Sequence, residues 1–168
     1  MANASIITIK QLNQGVRLTQ MNVRVIHKWT RPYIKDKTKT DAIELLLLDI
    51  DVNEIIQATI RRQLISFFGS KMVVGKTYNI RNLTVGNNTG HDKATPNPCR
   101  LKFEFSSKVQ ETSDTSQVHG YRFAKFEDII NDRVPTTHFI GIILTNSGKS
   151  VMMHFMATTY SRITYADF

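Results

Sequence analysis

Apolar residues in the first hundred positions fall in short runs rich in β-branched and aromatic types, separated by polar segments, which is the pattern of strands. Residues 23–26 (Val-Arg-Val-Ile) open the first run, 43–48 (Ile-Glu-Leu-Leu-Leu-Leu) form the second and 55–60 (Ile-Ile-Gln-Ala-Thr-Ile) the third. Asp49, Asp51 and Asn53 mark a hairpin turn between the last two. Between positions 62 and 72 the period changes: Leu64, Ile65, Phe67, Phe68 and Met72 recur at helical spacings and predict the only helix of this region. Gly75 reopens an extended segment, 77–85, and the turn-rich stretch 86–99 predicts a long loop. The fifth run, 100–105, alternates strictly, which sets Leu101, Phe103 and Phe105 inward and Arg100, Lys102 and Glu104 outward.

Three strands, a helix and two strands in that order predict a mainly β chain built as a five-stranded OB-fold Greek-key barrel, with the helix between strands 3 and 4. Residues 1–110 are expected to form this domain and 111–137 a linker, since 110–117 offers no apolar anchor. Beyond a short amphipathic piece at 121–130, strand-like runs at 138–144 and 151–156 flank a turn at 146–148. Residues 138–168 are too few to close another barrel and predict the truncated or diverged start of a second OB-like unit.

The 168 residues carry 22 Lys+Arg against 14 Asp+Glu, a net charge of +8, and the distribution says more than the sum. Residues 1–110 hold 17 of the cations and 8 of the acids; the rest hold 5 and 6. A basic first domain points to a polyanionic partner, a nucleic acid, an acidic protein or a membrane surface. No apolar run approaches the roughly 18–20 residues of a spanning helix, and the first residues lack a basic, then apolar, export signal. An intracellular, reducing compartment is therefore expected, and the sequons at Asn3, Asn82 and Asn87 are read as chance. Cys99 is the only cysteine, so it predicts a structural thiol, with neither an internal disulfide nor a Cys-based zinc site.

Candidate chemistry is sparse apart from one segment. The five histidines show no ligand spacing, and Asp49/Asp51 and Glu127/Asp128 lack the companions that acid–base or metal-assisted hydrolysis needs. Gly148-Lys149-Ser150 matches the end of a P-loop, but Ile143 stands where the first glycine belongs. No catalysis, metal, cofactor or small-molecule substrate is expected. The stretch 28–39, read as the first inter-strand loop, is different: it interleaves Lys28, Arg31, Lys35, Lys37 and Lys39 with Trp29, the only tryptophan, and Tyr33. Bases of a single strand stack on aromatic rings and phosphates attract cations, and in OB-folds this loop and the fourth border the binding groove. The plainer alternative is a solvated basic loop with Trp29 tucked into the barrel mouth. Gln57 and Arg61 are expected outward on the third strand, Arg81 beside Tyr78 on the fourth, Lys93 in the fourth loop and Lys102 on the fifth strand.

The segments 23–29, 43–45, 56–60 and 101–105, in this order and with the Gly-Asn-Asn-Thr-Gly turn at 86–90, resemble the first DNA-binding OB-fold of plant replication protein A large subunits. The similarity extends over about residues 16–145, because 123–129 and 139–142 look like the linker and opening strand of that family's next OB-fold. The resemblance implies a nuclear, non-enzymatic module that binds single-stranded DNA in replication, repair or recombination, with smaller replication protein A subunits as possible partners. The base-stacking aromatic positions of better-known members align with Ile43 and Ile80, which shifts stacking to Trp29 and Tyr33. Two rival readings are a protein-interaction OB-fold that has lost nucleic-acid binding and a single-stranded RNA binder.

Overall fold

The structure is a computed structural model that describes residues 6–89 and 93–113, and farther along the backbone of three strands. The predicted amphipathic piece at 121–130 lies outside the described residues. Two compact units emerge, Met1–Asn88 with Asn97–Gly120, and Thr89–Pro96 with Tyr121–Phe168.

In the first unit, β1 (Arg17–Tyr33), β2 (Asp36–Asp49), β3 (Glu54–Arg61), β4 (Thr77–Asn87) and β5 (Cys99–Lys102) close a barrel in the order β1-β2-β3-β5-β4, with β4 returning to β1. Only β3 and β5 run parallel. The expected OB-fold is present. Closure depends on the length of β1, which pairs through Arg17–Arg24 with β4 and through Val23–Tyr33 with β2. Its inward side chains, Leu18, Met21, Val23 and Val25, join Ile43, Leu45 and Leu47 of β2 and Ile56, Ala58 and Ile60 of β3 in one buried cluster. Cys99 is a buried free thiol in the same cluster.

Four expectations change. The stretch 28–39 is not a loop, because β1 and β2 continue as a paired ribbon to Tyr33 and Asp36, leaving Ile34 and Lys35 as the turn. The helix is brief: a 3-10 turn, Arg62–Leu64, leads into α1 (Ile65–Phe68), which stops at Gly69. A Cβ at Gly69 would stand 2.6 Å from the Ile65 carbonyl oxygen, so the last turn of α1 has room only for glycine there. Phe105 is 68% exposed rather than inward, because β5 ends at Lys102 and the chain turns at Glu104–Ser107, where the Ser107 amide donates to the Glu104 carbonyl. Residues 111 and 112, expected in the linker, belong to β6 (Lys108–Thr112), which pairs with Thr77–Arg81 of β4.

The predicted hairpin turn after β2 has a second use. Buried Asp49 accepts from the Asp51 amide at 3.0 Å and, through its other oxygen, from the Ile9 amide at 2.7 Å, which ties the N-terminal segment to the barrel. Asn53 takes the left-handed conformation (φ 53°) that lets β3 begin.

The second unit contains β7 (Ile140–Asn146), β8 (Lys149–Phe155) and β9 (Thr164–Ala166) as an antiparallel meander. Lys149 and Ser150 of the rejected P-loop begin β8.

Candidate nucleic-acid interface

The outer face of β2, β3 and β5 is organised by an irregularity in β1. Val25 pairs with Leu47 but His27 pairs with Leu46, so Ile26 is an extra residue and the facing of the side chains from His27 to Arg31 is reversed. His27, Trp29 and Arg31 therefore share the outer face with their partners Leu46, Glu44 and Ala42, while Lys28 turns the other way. Cross-strand partners then line up in rows. One runs Trp29, Glu44, Thr59, Lys102 and Thr84; the next runs His27, Leu46, Gln57, Arg100 and Gly86; a third joins Arg31, Ala42 and Arg61.

Glu44 is the centre of this face and is 2% exposed. It receives the Arg31 guanidinium at 2.7 Å, lies 3.8 Å from Arg100, and accepts from the Thr59 hydroxyl at 2.8 Å and the Gln57 amide at 3.2 Å. A carboxyl group this buried is tolerated only with such compensation. Arg31 also grips Asp41 through two nitrogens, at 2.7 and 3.1 Å, and Arg100 donates to Asn88 at 3.3 Å. Trp29 is half-buried, outside the core cluster, and stacked on His27 with ring centroids 5.4 Å apart. Lys102 lies across Gly86, where a Cβ would come within 3.0 Å of its ammonium.

The sequence-nominated residues separate into groups. Trp29, Arg31, Gln57, Arg61 and Lys102 share the outer face, although Gln57 is buried in the Glu44 network rather than open to a ligand. Tyr33, Lys35, Lys37 and Lys39 lie on the projecting ribbon. Lys39 is paired with Asp36 at 2.8 Å, which lowers the Asp36 pKa, whereas exposed Lys35 and Lys37 have no ion-pair partner among the described residues. Lys28 does not join them: its ammonium donates to the Gly69 and Met72 carbonyls, at 2.5 and 3.0 Å, and secures the segment after α1. Arg81 is on the outer side of β4, between Gln20 and Lys108, away from these rows. Lys93 is exposed within Thr89–Pro96, the segment grouped with the second unit. Ile43 and Ile80 are both in the core, so neither aligned position offers a stacking face.

Sequence reasoning passed over Glu44, Arg100 and His27. Glu44 carried a signal, a lone acid inside a run of aliphatic residues, and strand alternation already set Arg100 outward. The placement of His27 had none, because it depends on the bulge.

Among solved structures, the fold is similar to a chain of a replication protein A heterotrimer bound to single-stranded DNA, at 18% identity and a TM-score of 0.59, covering 88% of this chain and 37% of that one. It is also similar to the OB domain of MM0293 from Methanosarcina mazei, at 16% identity and a TM-score of 0.52, covering 70% of this chain and 93% of that one. This chain thus spans little more than a third of the replication protein A chain it matches. No curated protein matches it. The family model described as "Domain of unknown function DUF223" matches residues 10–132, every strand of the barrel and beyond, and the chain belongs to that family.

Proposed function

We propose that the barrel is a sequence-tolerant single-stranded DNA-binding module that acts without catalysis, in the manner of a replication protein A large-subunit domain. The observation that carries this reading is the sheet face bordered by the basic ribbon: Trp29 and Tyr33 are half-buried, and Lys35 and Lys37 stand exposed beyond them with no acid paired to either among the described residues. Rings for bases and cations for phosphates are the two requirements of single-strand binding. The similarity of the fold to a chain of a replication protein A heterotrimer, solved bound to single-stranded DNA, supports it. A role in replication, repair or recombination, a nuclear location and association with smaller subunits belong to the same proposal.

A second reading, an OB-fold that docks a protein, is favoured by one observation: Arg31 and Arg100 already face Glu44. Fluorescence anisotropy with a labelled single strand, a duplex and an RNA of the same sequence separates the readings. Saturable binding of the DNA strand is expected, falling with log salt at a slope near −3 for about four phosphate contacts. Trp29→Ala/Tyr33→Ala and Lys35→Ala/Lys37→Ala should both weaken it. Absence of binding at low salt by a folded protein would overturn the proposal in favour of protein docking, and preference for the RNA would reassign the ligand.

A further inference from the structure

On the outer side of β4, next to α1 and β6, is a cleft of about 400 Å³ in which Lys71, Arg81 and Lys108 converge with the amides of Asn79 and Gln110 and with Ser107. Its lining contains no carboxylate. All three cations are exposed, and none has an ion-pair partner among the described residues. Arg81 is pre-oriented, because its Nε donates to the Asn79 side-chain Oδ1 at 2.9 Å, while Asn79 Nδ2 donates to Asn22 Oδ1 at 2.6 Å. Tyr78 fixes the Lys71 backbone, its hydroxyl donating to the Lys71 carbonyl at 2.6 Å and accepting from the Val73 amide at 3.0 Å.

Next to this cleft in the chain stand two aromatic rings with no core role. Phe67 precedes Phe68, which lines the cleft, and Phe105 comes two residues before Ser107. The rings meet edge to face at 5.9 Å, yet Phe67 is 53% and Phe105 68% exposed. Pairing two rings in water leaves most of their apolar area unburied, an arrangement suited to a flat partner stacked against them.

We infer that the barrel has a second contact site for single-stranded nucleic acid on its helix side, with phosphates in the Lys71–Arg81–Lys108 cleft and a base against Phe67 and Phe105. The inference rests on the proposed function and extends it: a strand long enough to leave the β2–β3 face continues onto the β4–β6 side of the barrel. The converging cations favour phosphodiester over acidic peptide because the neighbouring rings add a surface that a base fills and a carboxylate side chain does not.

The test uses the full chain and thymidine oligomers of roughly 8 nucleotides, within one OB-fold's footprint of about 4–16, and roughly 30, well beyond it. Lys71→Ala/Arg81→Ala/Lys108→Ala should weaken binding of the long strand about tenfold at low salt and flatten its salt slope by about 2, at about 0.7 for each phosphate no longer neutralised. Short-strand binding should change less than about twofold, because one side of the barrel suffices for it. Phe67→Ala/Phe105→Ala, whose rings lie outside the core, should weaken the long strand several-fold with an unchanged slope. If the triple variant binds the long strand as the wild type does, while Lys35→Ala/Lys37→Ala impairs both lengths, the second site is wrong and the primary groove stands. If the wild type binds neither length, both proposals fall. Displacement of the long strand by polyglutamate that persists undiminished in the Phe67→Ala/Phe105→Ala variant would overturn the nucleic-acid assignment in favour of an acidic protein.

Discussion

The β2–β3–β5 face and the β4–β6 cleft belong to one barrel and are both rich in cations, yet they treat charge in opposite ways. On the first, Arg31 and Arg100 are held by Glu44 and Asp41, and the network is buried around Glu44. In the second, Lys71, Arg81 and Lys108 face solvent with no acid in the lining. A phosphate arriving at the first face must compete with a carboxylate already in place, whereas at the second it meets only solvated cations. Counting positive residues therefore overstates the groove and understates the cleft. Of the groove's nominated cations, Arg61, Lys35, Lys37 and Lys102 keep their charge unmatched among the described residues.

The largest expected effect comes from breaking this asymmetry at its centre. Glu44→Gln removes the charge but keeps the shape, leaving Arg100, 13% exposed, without its counter-ion. Urea denaturation should show a loss of about 3 kcal/mol. Strand affinity measured on the remaining folded protein should nevertheless rise, with a salt slope steeper by about 0.7–1.4 as one or two guanidiniums become available to phosphate. An unchanged slope would mean that the arginines remain unavailable for another reason.

Asp49 asks whether every buried acid of the barrel behaves like Glu44, because its partners are backbone amides instead of cations. Asp49→Ala should cost about 2 kcal/mol by leaving the buried Ile9 amide unsatisfied, with no effect on strand binding. Burial raises the Asp49 pKa above 3.8, outweighing the amides of Ile9 and Asp51 that lower it. The folded state thus holds the proton more tightly than the unfolded chain, and stability falls as pH rises from about 3.8 through the raised value. The advantage of the wild type over Asp49→Asn should be greatest below that window and shrink above it, as pH-dependent urea titrations would show.

Two smaller effects sharpen the picture of the cleft and ribbon. Tyr78→Phe should lose about 1 kcal/mol and weaken the long strand by freeing the Lys71 backbone, measured by urea denaturation and anisotropy together. Lys28→Met should lose somewhat under about 1 kcal/mol by releasing the Gly69 and Met72 carbonyls, yet leave the salt slope of binding unchanged. A reduced slope would place Lys28 among the phosphate contacts after all.

The order of strands, the position of the helix, the hairpin at Asp49–Asn53 and the inward set of β3 were legible in the sequence, because period-two alternation and turn chemistry are local and each run was long enough to express them. The basic, aromatic segment 28–39 was also legible as a candidate site, since composition needs no geometry. Its division was not. A single extra residue at Ile26 decides that Trp29 and Arg31 face the groove while Lys28 braces the segment after α1, and a bulge is fixed by the partner strand rather than by its own sequence. Likewise Phe105 alternated correctly with Leu101 and Phe103 but came out exposed, because the turn at Glu104–Ser107 ends the sheet first. The cleft was beyond any reading of the chain, since Lys71, Arg81 and Lys108 come from separate segments and converge only when β6 pairs with β4 beside α1. The sequence determined which strands this barrel has and which side of most of them is apolar, whereas tertiary pairing decided which cations meet an acid and which are left for a ligand, because charge matching depends on distances between strands that no local pattern contains.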